Sequence, residues 1–325
     1  MWYGSEEIES ERLVKPLLSV SAQIDHLKSK GVRFKAMDES EAERYLTYNN
    51  SYFRLRSYRT AFDKYEAGSK EGKYISLDFG MLVDLAVIDM LLRKTFLPLT
   101  IDVEHYYKLR LLRRIEREGE DGYTLVHDYL EHESARMKDA PLCLSDLVCA
   151  KGSTFTQGLL DKYNYKPIPV WAYVELIAFG DFVYFLKYCA ERFGDKELNR
   201  EFYLLQPVRI LRNASAHNSC ILNDLKSCSD YPYKPSYEVM RALSKLGISK
   251  KTRASRMSNE RLRCLAYTLY LHQCVASAGV RDHVAIELSV FSKRMMKNID
   301  WYKEGHVRES FAFIQKLIKG WYPLG

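Results

Sequence analysis

The chain has 325 residues, 47% hydrophobic and 28% charged, which excludes a disordered polyelectrolyte and is long enough for a sizeable core. Nine prolines and sixteen glycines are few for an all-β chain, and long stretches carry helical spacing, so the fold is read as all-α. The net charge of +7 is uneven: from Ser236 onward 16 Lys and Arg stand against 7 Asp and Glu, a local +9, which leaves the first 235 residues at −2.

Three stretches follow in chain order: an N-terminal helical segment (1–72), a helical core (73–228) and a basic C-terminal helical unit (229–325). In the first, Lys15-Pro16 and Gly31 punctuate short helices, and Ser40 is placed to cap one through Glu41, Ala42 and Tyr45. Tyr45, Tyr48, Tyr52, Tyr58 and Phe62 interleave there with Arg44, Arg54, Arg56 and Arg59. Aromatics and guanidinium groups stack on unpaired bases, so Arg54, Arg56 and Arg59 are candidate RNA contacts. The spacing of Tyr45, Tyr48 and Tyr52 equally suits a core stripe.

Residues 75–97 are apolar on nearly every face, which predicts a buried helix braced by an Asp89–Arg93 pair at i,i+4. Pro98 is expected to end or kink it, and Thr100 to cap a second helix running to about Gly119. On that helix Glu104 is either a supporting acid for a catalytic face or a partner of Lys108. Short helical pieces are expected at 125–136 and 144–148. His127, Glu131 and His132 are metal-capable, but only His127 and Glu131 share a helical face, so no metal site is assigned.

A third long helix should follow Pro169 and end at Gly194, burying Trp171 and Leu176. Its apolar part, Val170 to Leu186, contains Glu175 and Asp181 and is read as a core helix rather than a membrane span. Pro207 suits the first turn of a fourth helix reaching Leu222, with Leu211 buried. Ser227 to Ser236, with Pro232 and Pro235, reads as a linker. Beyond it Lys250, Lys251, Arg253, Arg256, Arg261 and Arg263 form the densest basic run, which is either a phosphate-binding surface or a solvated face. Seven cysteines without a C-x-x-C pair, and no visible signal peptide, point to a reducing cytoplasm.

The fourth helix holds the residues suited to chemistry. Projected at about 100° per residue, Val208, Leu211, Ala214, Ser215, Ile221 and Leu222 share one side, and Arg209, Arg212, Asn213 and His217 lie on the other. Imidazole exchanges protons near neutrality, guanidinium holds phosphate oxygens, and an amide four residues before a histidine is placed to orient its ring. Arg212 and His217 are splayed by about 140° on a straight helix, so two facing copies would complete a pocket that one copy leaves open. The same set on an outer face is also what a solvated surface carries.

At this helix the sequence resembles a known family. Arg212-Asn213, Ala216 and His217 resemble the R-N-x-x-A-H signature of the Abi-like (AbiD/AbiF) abortive-infection proteins, a branch of the HEPN superfamily. Other blocks occur in the same order: Lys15-Pro16 with Gln23-Ile24, Leu27-Lys28 and Gly31; Asn49, Tyr52, Arg54, Leu55 and Tyr58; Asp89, Leu92 and Arg93 with Glu104; Pro169, Trp171, Glu175, Phe179 and Gly180. They cover roughly residues 15 to 225. Tyr106-Tyr107-Lys108 fits only loosely, and 236–325 has no counterpart.

The resemblance implies a HEPN-type four-helix core with helical extensions, a homodimer with a shared cleft, and cytoplasmic antiphage, toxin-like activity. It assigns metal-independent endoribonuclease catalysis to Arg212, Asn213 and His217 with no cofactor; Arg209, from its place on the helix face, and Glu104 are the candidate supporting residues, and no membrane partner is expected. RNA is the implied substrate and, as for some AbiF-like proteins, a small non-coding RNA is the implied inhibitor. Lys250, Lys251, Arg253 and Arg256 are where such an RNA would be gripped. The rival readings are a catalytically silent RNA-binding or scaffold protein on the same fold, and a DNA-binding regulator, for which no helix-turn-helix spacing is evident.

Overall fold

Helices carry all the regular structure of the described residues, which in this computed structural model are 17–137, 155–163, 167–228, 234–302 and 305–324. They contain no β-sheet, only isolated bridges pairing Arg33 with Asp78 and Lys64 with Tyr74. Lys15-Pro16, the piece expected at 144–148 and half of the expected linker (229–233) lie outside the described residues. Contacts divide the chain into two compact units, Met1–Asp84 and Leu85–Gly325.

The first unit holds α1 (Val20–Ser29), α2 (Glu39–Tyr48), α3 (Tyr52–Ser57) and a short 3-10 turn, Tyr58–Ala61. Helix α2 is capped by Asp38, not by Ser40. Asp38 accepts from the Glu41 N–H at 2.8 Å while Glu41 accepts from the Asp38 N–H at 3.1 Å, a reciprocal box that satisfies two otherwise orphaned donors. The buried Asp78 accepts from the N–H groups of Lys35, Ala36 and Gly80, drawing residues 35–36 onto the start of the next helix. Gly80 is required there, because a Cβ would lie 2.9 Å from that of Ala36.

That next helix, α4 (Phe79–Arg117), is one continuous element of 39 residues. Pro98 does not end it, and Thr100 is no cap: its hydroxyl donates to the Leu97 carbonyl within the helix. An interior proline costs about 3 kcal/mol. Leu92, Phe96, Leu99, Val103, Tyr107, Leu111 and Ile115, all buried at helical spacing, outweigh it together.

The second unit continues with α5 (Thr124–Met137), α6 (Gln157–Tyr163), α7 (Val170–Leu176), α8 (Phe179–Arg192) and α9 (Lys196–Ala216). The single helix expected after Pro169 is therefore two, parted by extended backbone at Ile177 and Ala178 that lets both pieces bury an apolar face. Leu176 is buried as expected, whereas Trp171 is 54% exposed. Helix α7 buries Val170, Ala172, Tyr173 and Val174, which leaves Trp171 on the outside with its ring edge-on to Tyr123. Between α5, α7 and α8 the rings of Tyr129, Tyr173 and Phe185 meet with centroids 5.0–6.2 Å apart.

Gly194 takes the left-handed position that ends α8, and Asp195 caps α9 through the N–H groups of Glu197 and Leu198. Helix α9 thus begins eleven residues before Pro207, which lies buried inside it. It runs antiparallel to α4, joined by Arg114 to Asp195 and by Arg110 to Glu201 at 2.7 Å. Helix α8 packs against it, and so does α12 (Glu260–Val275), one of the basic C-terminal helices. The others are α10 (Tyr237–Lys245), α11 (Lys250–Ser258), α13 (Ala278–Met296) and α14 (His306–Trp321). Their end is latched by a fully buried imidazole: burial favours the neutral ring of His272, whose Nε2 is 3.1 Å from the Asp102 carboxylate and whose Nδ1 is 2.8 Å from the Tyr322 hydroxyl. No helix of the described residues is long and apolar enough to cross a membrane.

Two tests follow from this packing. Phe185→Ala should lose about 3–5 kcal/mol in urea denaturation, and Trp171→Ala only about 1 kcal/mol. Burial pushes the Glu201 carboxyl up to about 7 from its usual 4.5, against the pull of Arg110. The native state therefore keeps a proton that the unfolded chain has released. This group's share of stability is intact below pH 4.5 and is lost as pH rises to about 7. Urea titrations of Glu201→Gln should show a flatter pH dependence than the parent across that window.

Candidate active site

Helix α9 ends earlier than its apolar pattern implies. Ala216 is its last helical residue and His217 its C-cap, with φ −86° and ψ 12°. Asn218 follows at φ 56°, in the left-handed region that an L residue enters at a cost, asparagine less than most. Its N–H donates to the Ser215 carbonyl (3.3 Å) and that of Ser219 to the Ala214 carbonyl (2.8 Å), the paired bonds of a Schellman ending. Ile221 and Leu222 are buried as expected, but from the segment after the helix rather than from its face.

Side chains from two helices hold that segment. Asp89 Oδ1 accepts from the N–H groups of Ile221 and Leu222, each at 2.9 Å. Asp89 Oδ2 pairs with the Arg93 guanidinium, whose Nη1 also donates to the Ser219 carbonyl at 2.9 Å. Downstream, Arg261 Nε donates to the Asn223 side chain, and Asn259 Nδ2 to the carbonyls of Asp224 and Lys226. The expected Asp89–Arg93 pair therefore forms and fixes the chain just beyond His217. The sequence signal was Asp89 and Arg93 one turn apart in an apolar run. Nothing local pointed to their backbone partners, 126 to 133 residues away.

Arg212, Asn213 and His217 gather at this end of α9. Arg212 is half-buried and donates from Nη1 to Asn213 Oδ1 at 3.4 Å, while its Nε is buried without a hydrogen-bond partner. Asn213 and His217 are exposed. Arg209, one turn back, lies with its guanidinium 5.7 Å from the Tyr184 ring centroid, a partner the sequence did not reveal. It also opposes the burial that raises the Asp181 carboxyl above its usual range. Glu104 is paired with Lys108 at 2.9 Å rather than with a residue of this cluster.

Of the arginines in the first unit, Arg56 is exposed, Arg54 half-buried, and Arg59 buried between the rings of Tyr52 and Tyr74. On α11, Lys250 and Lys251 are exposed and Arg253 donates to the Ile248 carbonyl. Arg256 is buried against Glu309 and the Ser310 hydroxyl. On α5 the metal-capable atoms within 4.8 Å of one another belong to His127, Asp128 and Glu131, with His132 set apart beside Glu133. Asp128 is already engaged by Arg192 at 2.7 Å.

The family model for Abi-like proteins matches residues 44–223, more than half of the chain and a span that contains both the Asp89–Arg93 pair and the end of α9. No curated protein and no solved structure matches the chain.

Asp89→Ala would leave the buried Arg93 charge uncompensated and two N–H groups without an acceptor, so a loss of about 3–5 kcal/mol is expected on chemical denaturation. At the left-handed position, Asn218→Gly should retain stability and Asn218→Val should lose about 1–2 kcal/mol. Equal effects of the two Asn218 changes would show that the helix ending is misassigned.

Proposed function

The chain belongs to the Abi-like family, and we propose that it is an abortive-infection effector, a HEPN-type endoribonuclease that cleaves RNA without a metal at a cleft shared by two copies. One observation carries the reading: Arg212, hydrogen-bonded to Asn213, lies near the pinned end of α9 that His217 caps, the first half-buried and the other two open to solvent. In this reading α4, α5, α8 and α9 form the four-helix core.

His217 takes the proton from a ribose 2′-OH, and the 2′-oxygen attacks the adjacent phosphorus. The bond from phosphorus to the 5′-oxygen breaks, the leaving oxygen receives a proton, and the products are a 2′,3′-cyclic phosphate and a 5′-OH. Arg212 holds the non-bridging oxygens as charge builds on them, its fork tethered by Asn213. Arg209 adds a second cation one turn away. Each copy supplies one such imidazole, while the base and the acid are two tasks. A symmetric dimer, in which the partner copy's histidine protonates the leaving oxygen, supplies both. A small non-coding RNA holding the enzyme silent would dock on the basic C-terminal helices, where Lys250 and Lys251 are exposed.

A second reading, a catalytically silent RNA-binding protein on the same fold, draws on one feature: His217 is exposed and no described hydrogen bond orients its ring. The two readings part in a cleavage assay. His217→Ala and Arg212→Ala should each lower RNA cleavage by roughly 10²–10⁴-fold, abolish toxicity in cells, and leave the melting temperature unchanged. Cleavage should persist in EDTA and leave cyclic phosphate ends. Full toxicity of either stably expressed variant, or strict dependence on a divalent ion, would overturn the nuclease assignment.

A further inference from the structure

The first unit gathers cations around two tyrosine rings. Arg59, in the 3-10 turn that follows α3, is only 7% exposed, with the ring centroids of Tyr52 and Tyr74 at 5.9 and 5.7 Å from its guanidinium carbon. At that burial it cannot lie flat on a base, and what it offers is charge and N–H groups. Its Nε is buried without a hydrogen-bond partner, and so is the Tyr52 hydroxyl. A fold ordinarily satisfies such groups, because a buried donor without an acceptor has lost its water for nothing.

The neighbours add charge. The Tyr74 N–H donates to the Lys30 carbonyl at 2.9 Å, which draws Lys30 to the same place, and the Lys64 ammonium stands 5.0 Å from the Tyr74 ring centroid. Tyr52 meets the His26 ring edge-on, with centroids 6.2 Å apart. Burial, then Arg59, Lys30 and Arg56, hold the His26 imidazole below its usual pKa, and no carboxylate of the described residues opposes them. Glu39 is taken by Lys28 at 2.5 Å. Asp25 precedes His26, yet among the described residues neither it nor any other carboxylate stands within 4.0 Å of Arg59, Arg56, Lys30 or Lys64. A buried charge is normally paired, inside the protein or by what it binds.

We infer that this cluster receives a phosphate group, held by Arg59 and the Tyr52 hydroxyl from within and by Arg56, Lys30 and Lys64 from the rim. These cations outnumber what one carboxylate neutralises. A phosphate monoester brings about two negative charges and three acceptor oxygens, and a nucleic-acid strand brings a phosphate at every step. The group belongs either to an RNA strand or to free phosphate or a nucleotide. The cluster lies in the first unit and owes nothing to chemistry at His217.

The test follows the His26 ring by NMR in the full chain, its signal assigned by its loss in His26→Gln, with inorganic phosphate set against chloride at matched ionic strength. Phosphate should raise the midpoint of the His26 titration by about one pH unit, because an anion a few ångströms away favours the imidazolium. It should also raise the melting temperature of the parent but not that of Arg59→Met. Arg56→Gln combined with Lys64→Gln, at exposed positions that leave the fold intact, should raise the phosphate concentration needed by about tenfold. A short 2′-O-methylated RNA, which lacks the nucleophile and stays intact, separates the sources. The same shift at a lower concentration of strand than of phosphate assigns the site to RNA, and a shift from phosphate alone assigns it to free phosphate or a nucleotide. No shift from either beyond that in chloride overturns the inference. So does an equal shift from acetate, which would mark a carboxylate site, or a shift that survives both the Arg59 change and the double change.

Discussion

The Asp89 carboxylate is the contact on which the geometry of the site depends. A carboxylate with no access to water must have its oxygens filled, and here two backbone N–H groups and one guanidinium fill them. Arg93 passes the restraint on to the Ser219 carbonyl. A buried ion pair adds little net stability, because desolvation offsets the attraction. What this one supplies is register: it decides where the end of α9 lies along α4, and so where Arg212 and His217 face. Arg110 and Arg114 hold the other end of α9 on the same helix. The candidate catalytic helix is thus fastened at both ends to a single element.

Features that depend on local spacing were legible in the sequence. The all-α architecture, the buried run of α4 and the exposure of Asn213 and His217 follow from which residues recur every three or four positions. Punctuating residues mislead by themselves where packing overrides them. Pro98 and Pro207 read as boundaries, but the apolar neighbours of each are buried and hold the helix together through it. Trp171 read as core because of its size, yet its position on α7 is set by five neighbours that are buried instead. The end at Ala216 was marked by Asn218, a residue second to glycine in the left-handed region, and the apolar Ile221 and Leu222 beyond it obscured that signal. Charge counting could not tell Lys250, which is in water, from Arg256, which Glu309 on a distant helix draws inward.

The basic C-terminal helices lie beyond the family match, yet they cover a flank of the matched helix. Helix α12 packs along α9, its first turn holds Asn223, Asp224 and Lys226, and its buried His272 reaches Asp102 on α4. The matched residues therefore do not bury α9 by themselves. The local charge of +9 sits on helices that also serve as core. This is why some of their arginines are spent on internal partners while the neighbouring lysines remain outside.

The span of the Asp89 contact has a consequence for how the protein comes into being. Its partners Ile221 and Leu222 are 132 and 133 residues downstream, and Asp102 is 170 residues from His272. Closing loops of that size is entropically slow, and neither closure is available until the downstream partner has been synthesised. During translation α4 leaves the ribosome long before the residues that complete it, so a nascent chain has the helix but not the clamp. A chain that stalls before residue 222 leaves the end of α9 unfastened, and the cluster at Arg212 and His217 takes its final shape only in the last third of synthesis.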